Sequence, residues 1–585
     1  MEYAVIIAAL LIGFLIKGIY DRKNARKRLT QRLKKEWGQV PSEEYTFEEF
    51  KSLTSFYRSI QDDTHDVDDI TWNDIDMDQI FMLMNNTGCA IGEEYLYSVL
   101  RKVKFEEKDL LERNRLIEFF QREEGKRLKL QIALKGMGKL HGISVHEYIN
   151  RLDSLELHSA VPHYCMAAGL IASIVLIFFH PLYGGTLTFL MVANNILNYY
   201  RSKARIETYF TVCSYMIRLF SSVQDITKLD IPEIKTYLSQ LEAGAGKFHR
   251  FQKGSWVVAG KNPTGNPADL VLDYLRMLFH IDLIKFNSMM DCFKKNRSTL
   301  NEMFITIGTL DSMIAAASFR TMLEYYSLPE LKAGVKPFLE ANELYHPMIE
   351  EPVPNSISEH NSVLITGSNA SGKSTFIKTL AINAVLAQTI YTAVCRSYKA
   401  SFFQIASSMA LQDNILSKES YYIVEIKSLK RIIDRLNQDI PTLCFVDEVL
   451  RGTNTLERVA ASSRILYSIT RSNALCFAAT HDIELTHILE NYYSNYHFQE
   501  QIADDNVLFD YKLQGGRAVS KNAIKLLSIM GYSEDIIQNA SDAANRFLES
   551  GSWDILKPEH AGESTRTAKA DQGMDTVNKN WRFTL

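Results

Sequence analysis

Three short stretches of this chain carry residue types that together handle phosphate. The first, Gly367-Ser368-Asn369-Ala370-Ser371-Gly372-Lys373-Ser374, fits the spacing G-x-x-x-x-G-K-[ST]. Its glycines let backbone N–H groups turn inward without steric cost. A helix starting at Ser374 adds the positive end of its dipole, and Lys373 reaches the outer phosphates of a ligand. Ser374, followed by Thr375, can set a hydroxyl on Mg²⁺. The second stretch, "LCFVDEV", ends in adjacent carboxylates. Asp447 is placed to hold Mg²⁺ through its water shell, and Glu448 to polarise an attacking water. Two neighbouring carboxylates repel each other, and a bound cation offsets that cost. The third stretch, "FAATHD", puts His481 where it could sense a terminal phosphate.

These clusters need elements to position them. Each closes a short apolar run: "SVLIT" before Gly367, "TLCFV" before Asp447 and "ALCFAA" before Thr480. Helical segments separate the runs. Strands alternating with helices predict a parallel sheet, with ligand chemistry at the carboxyl ends of the strands. All three clusters fall at such ends. Before about residue 336 the texture is different. Residues 42–156 and 205–335 carry apolar positions at helical spacing, which predicts a packed helical bundle, with one loop at "GKNPTGNPADL". After Gly516, two short helices are expected around Met530-Gly531-Tyr532, and from Lys557 the tail is polar and reads as disordered.

At 585 residues the chain is long enough for several domains, and its net charge of −4 does not suggest a protein that coats nucleic acid. Seven scattered cysteines, an odd number without metal-ligand spacing, indicate neither a disulfide framework nor a zinc site. Two apolar regions depart from the average. "YAVIIAALLIGFLIKGIY", residues 3–20, precedes a run rich in lysine and arginine. A cleaved secretory signal has the reverse order, so this stretch reads as an uncleaved anchor with its basic side in the cytoplasm. From Leu157 to Tyr200 there is no Asp, Glu, Lys or Arg, and "HPLYGG" marks a turn in the middle. Segments of near-spanning length on either side, about Tyr164–Phe179 and Leu182–Tyr199, predict a membrane hairpin. About three spans would place the polar portions, with the phosphate loop, in the cytoplasm. Membrane lipid is then a partner through residues 3–20 and 160–200. The hairpin has no charged residue, which argues against a transport pathway.

In detail the C-terminal part resembles the MutS family of mismatch-repair ATPases, and more loosely the ABC ATPases. "ELYHPMIEEPVPNSI", "GSNASGKSTFIKTLA", "SKESYYIVEIKSLKRII", "DEVLRGTNTLERVAASSRIL" and "AATHDIELTHI" are each similar to a family segment. The resemblance covers about residues 336–548. It implies an α/β P-loop NTPase of the ABC/MutS type with a parallel-sheet core, preceded by an all-α core and lever bundle that here carries candidate transmembrane helices. The implied division is an anchor and basic helix at 1–41, the bundle at 42–335 interrupted by the hairpin, the ATPase domain with dimerisation helices at 336–548, and a tail at 549–585. The implied chemistry is ATP hydrolysis with Mg²⁺ at a homodimer interface. Gly367 to Thr375 would bind the nucleotide, Lys373, Glu448 and His481 would serve catalysis, and Ser374 and Asp447 would hold Mg²⁺. Ser420 of a partner would approach the terminal phosphate.

The sequence departs from the family in places. The mismatch-reading and connector domains have no counterpart, and Leu450 stands where the family usually has glycine. DNA is therefore a candidate partner, with mismatch reading not expected of this chain alone. A second reading keeps the apolar segments as buried core helices of a DNA-binding repair or recombination-related protein.

Overall fold

The computed structural model describes residues 17, 20–21, 23–152, 159–248, 274–334, 336–368, 371–409, 421–436, 439–451, 453–503, 506–518, 524, 527–528, 530–553 and 555–556. Nearly all of the N-terminal apolar run, the loop at 260–270, Asn369, Ala370, Ser420 and the tail from Lys557 lie outside the described residues.

The N-terminal half is helical. It contains α1 (Phe47–Leu53), α2 (Ser55–Ile60), α3 (Asp69–Asp74), α4 (Met77–Met84), α5 (Ala90–Arg101), α6 (Glu107–Arg122), α7 (Glu124–Met137) and α8 (Val145–Arg151). Local chemistry sets the starts. Thr46 and Glu49 form a reciprocal capping box at α1, and Asp68 accepts from the Thr71 N–H at α3. Two buried carboxylates serve as caps from a distance. Glu94 accepts from the Val145 N–H at 2.7 Å and the Ser144 hydroxyl at 2.7 Å, at the start of α8.

The candidate hairpin is α9 (Val161–Phe179) and α10 (Pro181–Thr227). The turn is tighter than the sequence suggests. Only His180 leaves the helical path, and Pro181 to Gly185 already belong to α10. Proline has no N–H to give and suits the first helical position, so it ends one helix while starting the next. The second arm also runs on past Tyr200, without a break, to Thr227. Along α9 and the first part of α10 the large apolar side chains point outward: Phe178 is 84% exposed, Leu182 76% and Phe189 74%. The continuation of α10 is buried at Cys213, Tyr215 and Phe220. At the base, buried Asn195 donates to the Met166 carbonyl at 3.3 Å and the Leu278 carbonyl at 2.8 Å, tying α10 to α9.

The helical part closes with α11 (Lys235–Gly246), α12 (Ile281–Lys295) and α13 (Arg297–Met322). α13 is also long and apolar enough to cross a membrane, but it is almost wholly buried and forms the spine of the bundle. On it, buried Asp311 accepts from the N–H groups of Gly88 (2.9 Å) and Cys89 (3.0 Å), just before α5 begins.

Two sheets follow. A four-stranded sheet has the order β1-β5-β2-β3, with β1 (Glu330–Lys332), β2 (Leu339–Leu344), β3 (Asn355–Glu359) and β5 (Ser397–Ser401). A six-stranded sheet has the order β10-β9-β4-β8-β7-β6. Its members are β4 (Ser362–Thr366), β6 (Gln404–Ser408), β7 (Thr442–Asp447), β8 (Ala474–Ala479), β9 (Tyr493–Ala503) and, at the edge, β10 (Asn506–Gly515). The pairs β4/β8, β4/β9, β6/β7 and β7/β8 are all parallel, as the alternation of strands and helices predicts. The helices are α14 (Lys373–Ile390), α15 (Tyr421–Arg435), α16 (Thr455–Thr470) and α17 (Ile483–Ile488).

Side-chain alternation along the strands builds two cores. Val363, Ile365, Leu443, Phe445 and Phe477 join a cluster that includes α14 and extends to Trp72, Phe81 and Phe304 of the bundle. Leu364, Cys444, Val446, Cys476 and Ala478 join Leu429 and Ile432 of α15 and Leu466 of α16. Strands buried on both faces read as continuous apolar runs, the pattern of "SVLIT" and "TLCFV". The helical part and the sheet thus share one core. Residues 502–508 and 519–585 form a separate unit, in which α18 (Glu534–Ser550) carries Glu534 and Asp535 in its first turn and ends at Gly551 in the left-handed region.

Candidate nucleotide site

β4 delivers the chain to the phosphate loop. Gly367 has φ +149° and Gly372 φ +106°, values that side-chain-bearing residues rarely adopt. Gly367 is also crowded: a Cβ there would meet the Phe498 carbonyl oxygen at 2.8 Å. α14 then begins at Lys373, whose ammonium donates to the carbonyls of Gly367 (2.8 Å) and Ser368 (2.7 Å). Burial lowers the Lys373 pKa, and Asp447, Glu448 and Glu500 oppose the shift. The cation therefore faces three carboxylates.

β7 ends at Asp447 beside α14, where Ser374 is hydrogen-bonded to it. The remaining carboxylate oxygen, Oδ1, is buried without a hydrogen-bond partner, as is the Ser371 hydroxyl in the loop. Buried polar atoms are normally satisfied. An orphaned carboxylate oxygen paired with a serine hydroxyl is a donor set that fits Mg²⁺, which takes few protein ligands beside phosphate oxygens. Burial raises the Asp447 pKa against the Ser374 hydrogen bond.

Glu448 turns away from the strand with φ +53° and is held on two sides: His481 Nε2 lies 3.0 Å from its Oε1 and Arg451 Nε 3.0 Å from its Oε2. The His481 hydrogen bond keeps the Glu448 carboxyl below the usual glutamate range. β8 delivers His481, and its Nε2 is also 3.5 Å from the Lys373 ammonium. Thus Gly367, Ser368, Ser371, Gly372, Lys373, Ser374, Asp447, Glu448 and His481 converge at neighbouring strand ends. Of these, Ser368, Ser371, Gly372, Lys373, Ser374 and Glu448 line, with Thr375, a cavity of about 540 Å³. Tyr345, His346, Val353, Phe376 and Tyr511 line the rest of that cavity, a size suited to a small organic ligand.

Several contributors escaped the sequence reading because the fold, not the spacing, joins them. Glu425 on α15 accepts from the N–H of Leu450 and, at 3.3 Å, of Arg451. Leu450 has φ +59°, the left-handed region that a glycine would take without strain. Arg458 grips Asp482 with two hydrogen bonds, of 2.8 and 2.6 Å.

The site is wired into the bundle. An acidic segment around α3 meets three elements of the sheet domain. Asp76 pairs with Lys378 of α14 (2.6 Å), Asp74 accepts from the Ser407 hydroxyl of β6 (2.6 Å), and Asp68 pairs with Arg431 and Arg435 of α15. At the far end of α14, Arg320 of α13 donates to the carbonyls of Ile390 and Tyr391.

A family model for MutS domain V matches residues 363–548, from β4 into α18. Over these residues the chain is similar to the MutS family. MutS protein homolog 4 of Mus musculus is 30% identical over 289 residues, 46% of this chain and 29% of that protein. The DNA mismatch repair protein MutS of Leptospira interrogans (serovar copenhageni) is 27% identical over 287 residues, 46% of this chain and 33% of that protein. That of Streptococcus uberis is 30% identical over 223 residues, covering 37% and 26%. The chain spans about a third of the length of these relatives. Domain V of the family is an ATPase-type α/β domain, and the parallel sheet with its phosphate loop is this chain's form of it.

Proposed function

We propose that this chain is a membrane-anchored MutS-type ATPase that binds and hydrolyses ATP with Mg²⁺ and passes the change to its helical bundle. The observation that carries the reading is the convergence of Lys373, the Ser374–Asp447 pair and the Glu448–His481 pair at adjacent strand ends. The loop amides and Lys373 bind and orient the phosphates. Ser374 and Asp447 would hold Mg²⁺, which would neutralise phosphate charge. Glu448 stays ionised at neutral pH, and with His481 and Arg451 fixing both oxygens it orients the attacking water. In the family's manner, a second copy of the chain completes the site with its Ser420 loop.

Anchoring is the second part of the proposal. Phe178, Phe179, Leu182 and Phe189 form an outward apolar surface on α9 and α10, the kind of surface that meets a membrane or a partner. This supports a membrane hairpin over buried core helices, with residues 3–20 as a further span. The ATPase portion then faces the cytoplasm. The names of the relatives make DNA one candidate client of the cycle.

Mg²⁺-dependent ATP turnover in detergent-purified protein tests the first part, and Lys373→Ala should abolish it. Membrane fractions washed in high salt and then in detergent test the second. Release by detergent alone is expected, whereas release by salt contradicts a spanning hairpin.

A further inference from the structure

Past the end of β4 the neighbouring strand β9 runs on and presses against the phosphate loop. Register places Thr366, the last residue of β4, opposite His497, so Phe498 to Glu500 lie beside the loop itself. Phe498 and Glu500 are buried, and Gln499 between them is exposed. That alternation marks a strand with one face on the loop. The Ser368 hydroxyl donates to the Glu500 carboxylate, and the Glu500 charge acts on Lys373 together with those of Asp447 and Glu448. The hydrolytic scheme employs Asp447 and Glu448 but leaves Glu500 without a task. Its charge opposes the site's main purpose. A buried carboxylate beside an anion-binding loop repels the phosphates that the amides, the helix end and Lys373 attract.

We propose that Glu500 is a positioning residue of the phosphate loop, holding Ser368 in place and, by its negative charge, limiting how tightly the loop retains nucleotide. The proposal rests on the nucleotide-binding reading above. Its consequence is kinetic: a loop that holds phosphate weakly lets the diphosphate product leave. The hydrogen bond and the charge are separable. Glutamine at this position keeps an acceptor for Ser368 and removes the charge, whereas aspartate keeps the charge.

The test is MgADP binding and ATP turnover by the full-length protein in detergent, comparing wild type, Glu500→Gln, Glu500→Asp and Lys373→Ala. Expected for Glu500→Gln is a Kd for MgADP lower by about tenfold, from one repulsive charge removed at a partly screened site. The KM for ATP should fall by a similar factor, with a smaller change in kcat. Glu500→Asp should bind within about twofold of wild type, and both variants should melt as wild type does. A residue that merely shaped the loop would give the opposite sign, so unchanged or weaker MgADP binding in a folded Glu500→Gln variant overturns the proposal. If wild type binds no nucleotide, and so matches Lys373→Ala, the nucleotide reading itself fails and this proposal falls with it.

Discussion

Arg320 is where α13 grips the end of α14, and removing it should cost the protein heavily. Its guanidinium is fully buried on α13 and donates to Thr392 Oγ1 (2.7 Å), Asn114 Oδ1 (2.7 Å), Ile390 O (3.1 Å) and Tyr391 O (2.8 Å). Two of these acceptors are carbonyls at the C-terminus of α14, which have no partner within the helix. Burial lowers the Arg320 pKa to about 10, which puts the cost of desolvation at about 3 kcal/mol. Four charge-assisted hydrogen bonds at roughly 1.5–3 kcal/mol each outweigh that cost. Arg320→Ala removes the donors, leaves the Asn114 and Tyr391 oxygens unmet and the Ile390 carbonyl with the Thr392 hydroxyl alone, and opens a cavity, so we expect a loss of about 3–5 kcal/mol. Lysine cannot reproduce the fork geometry, and Arg320→Lys should recover less than half of the loss. Urea titration followed by intrinsic fluorescence would measure both variants. A loss below about 1 kcal/mol for Arg320→Ala would refute the reasoning, since it would mean that α14 ends without needing its anchor.

The same packing logic applies at the start of α5. A Cβ on Gly92 would lie 2.0 Å from Asp311 Oδ2, so Gly92→Ala should lower stability by about 2–4 kcal/mol in a thermal melt. Combining it with Asp311→Ala should cost less than the sum of the two single changes. Two buried groups give opposite pH signatures. Burial lowers the His146 pKa to about 4, so its unfolded form takes up a proton first, and its contribution to stability is lost as pH falls from 6.5 towards 4, by up to about 3 kcal/mol. Burial raises the Glu94 pKa to about 8, so its contribution is full below the unfolded value near 4.5 and is lost as pH rises through 8. Stability profiles of His146→Phe and Glu94→Gln, each subtracted from wild type, should slope in opposite directions between pH 5 and 8, and parallel slopes would contradict both assignments.

What was legible in the sequence follows from what is local. The Gly367–Ser374 loop is contiguous, and a strand before it and a helix after it can be recognised from apolar runs, so the site's first half could be read directly. Asp447 and His481 were legible because each closes an apolar strand, and parallel strands bring their carboxyl ends together. Glu425, Arg451 and Glu500 were not, because a single carboxylate or guanidinium carries no signal until the fold brings it to Leu450, Glu448 or Ser368. The hairpin announced itself through the missing charges between Leu157 and Tyr200. The continuation of α10 to Thr227 did not, because Arg201, Lys203 and Arg205 interrupt the apolar run that its buried face resumes at Cys213 and Tyr215. The four-stranded sheet was illegible for another reason: "ELK" and "NSISE" are short and polar, and only pairing makes them strands.

The central claim is that Glu448 drives hydrolysis at a site that binds ATP without it. The direct test is ATP binding and phosphate release by the detergent-purified protein, wild type beside Glu448→Gln, with and without homoduplex, mismatched and branched DNA. The account predicts that Glu448→Gln binds MgATP as tightly as wild type and releases phosphate at least about a hundredfold more slowly. Stimulation of the wild type by one of the DNAs would identify a nucleic-acid client, and indifference to all of them a membrane or protein client. Phosphate release by Glu448→Gln at the wild-type rate would contradict the account.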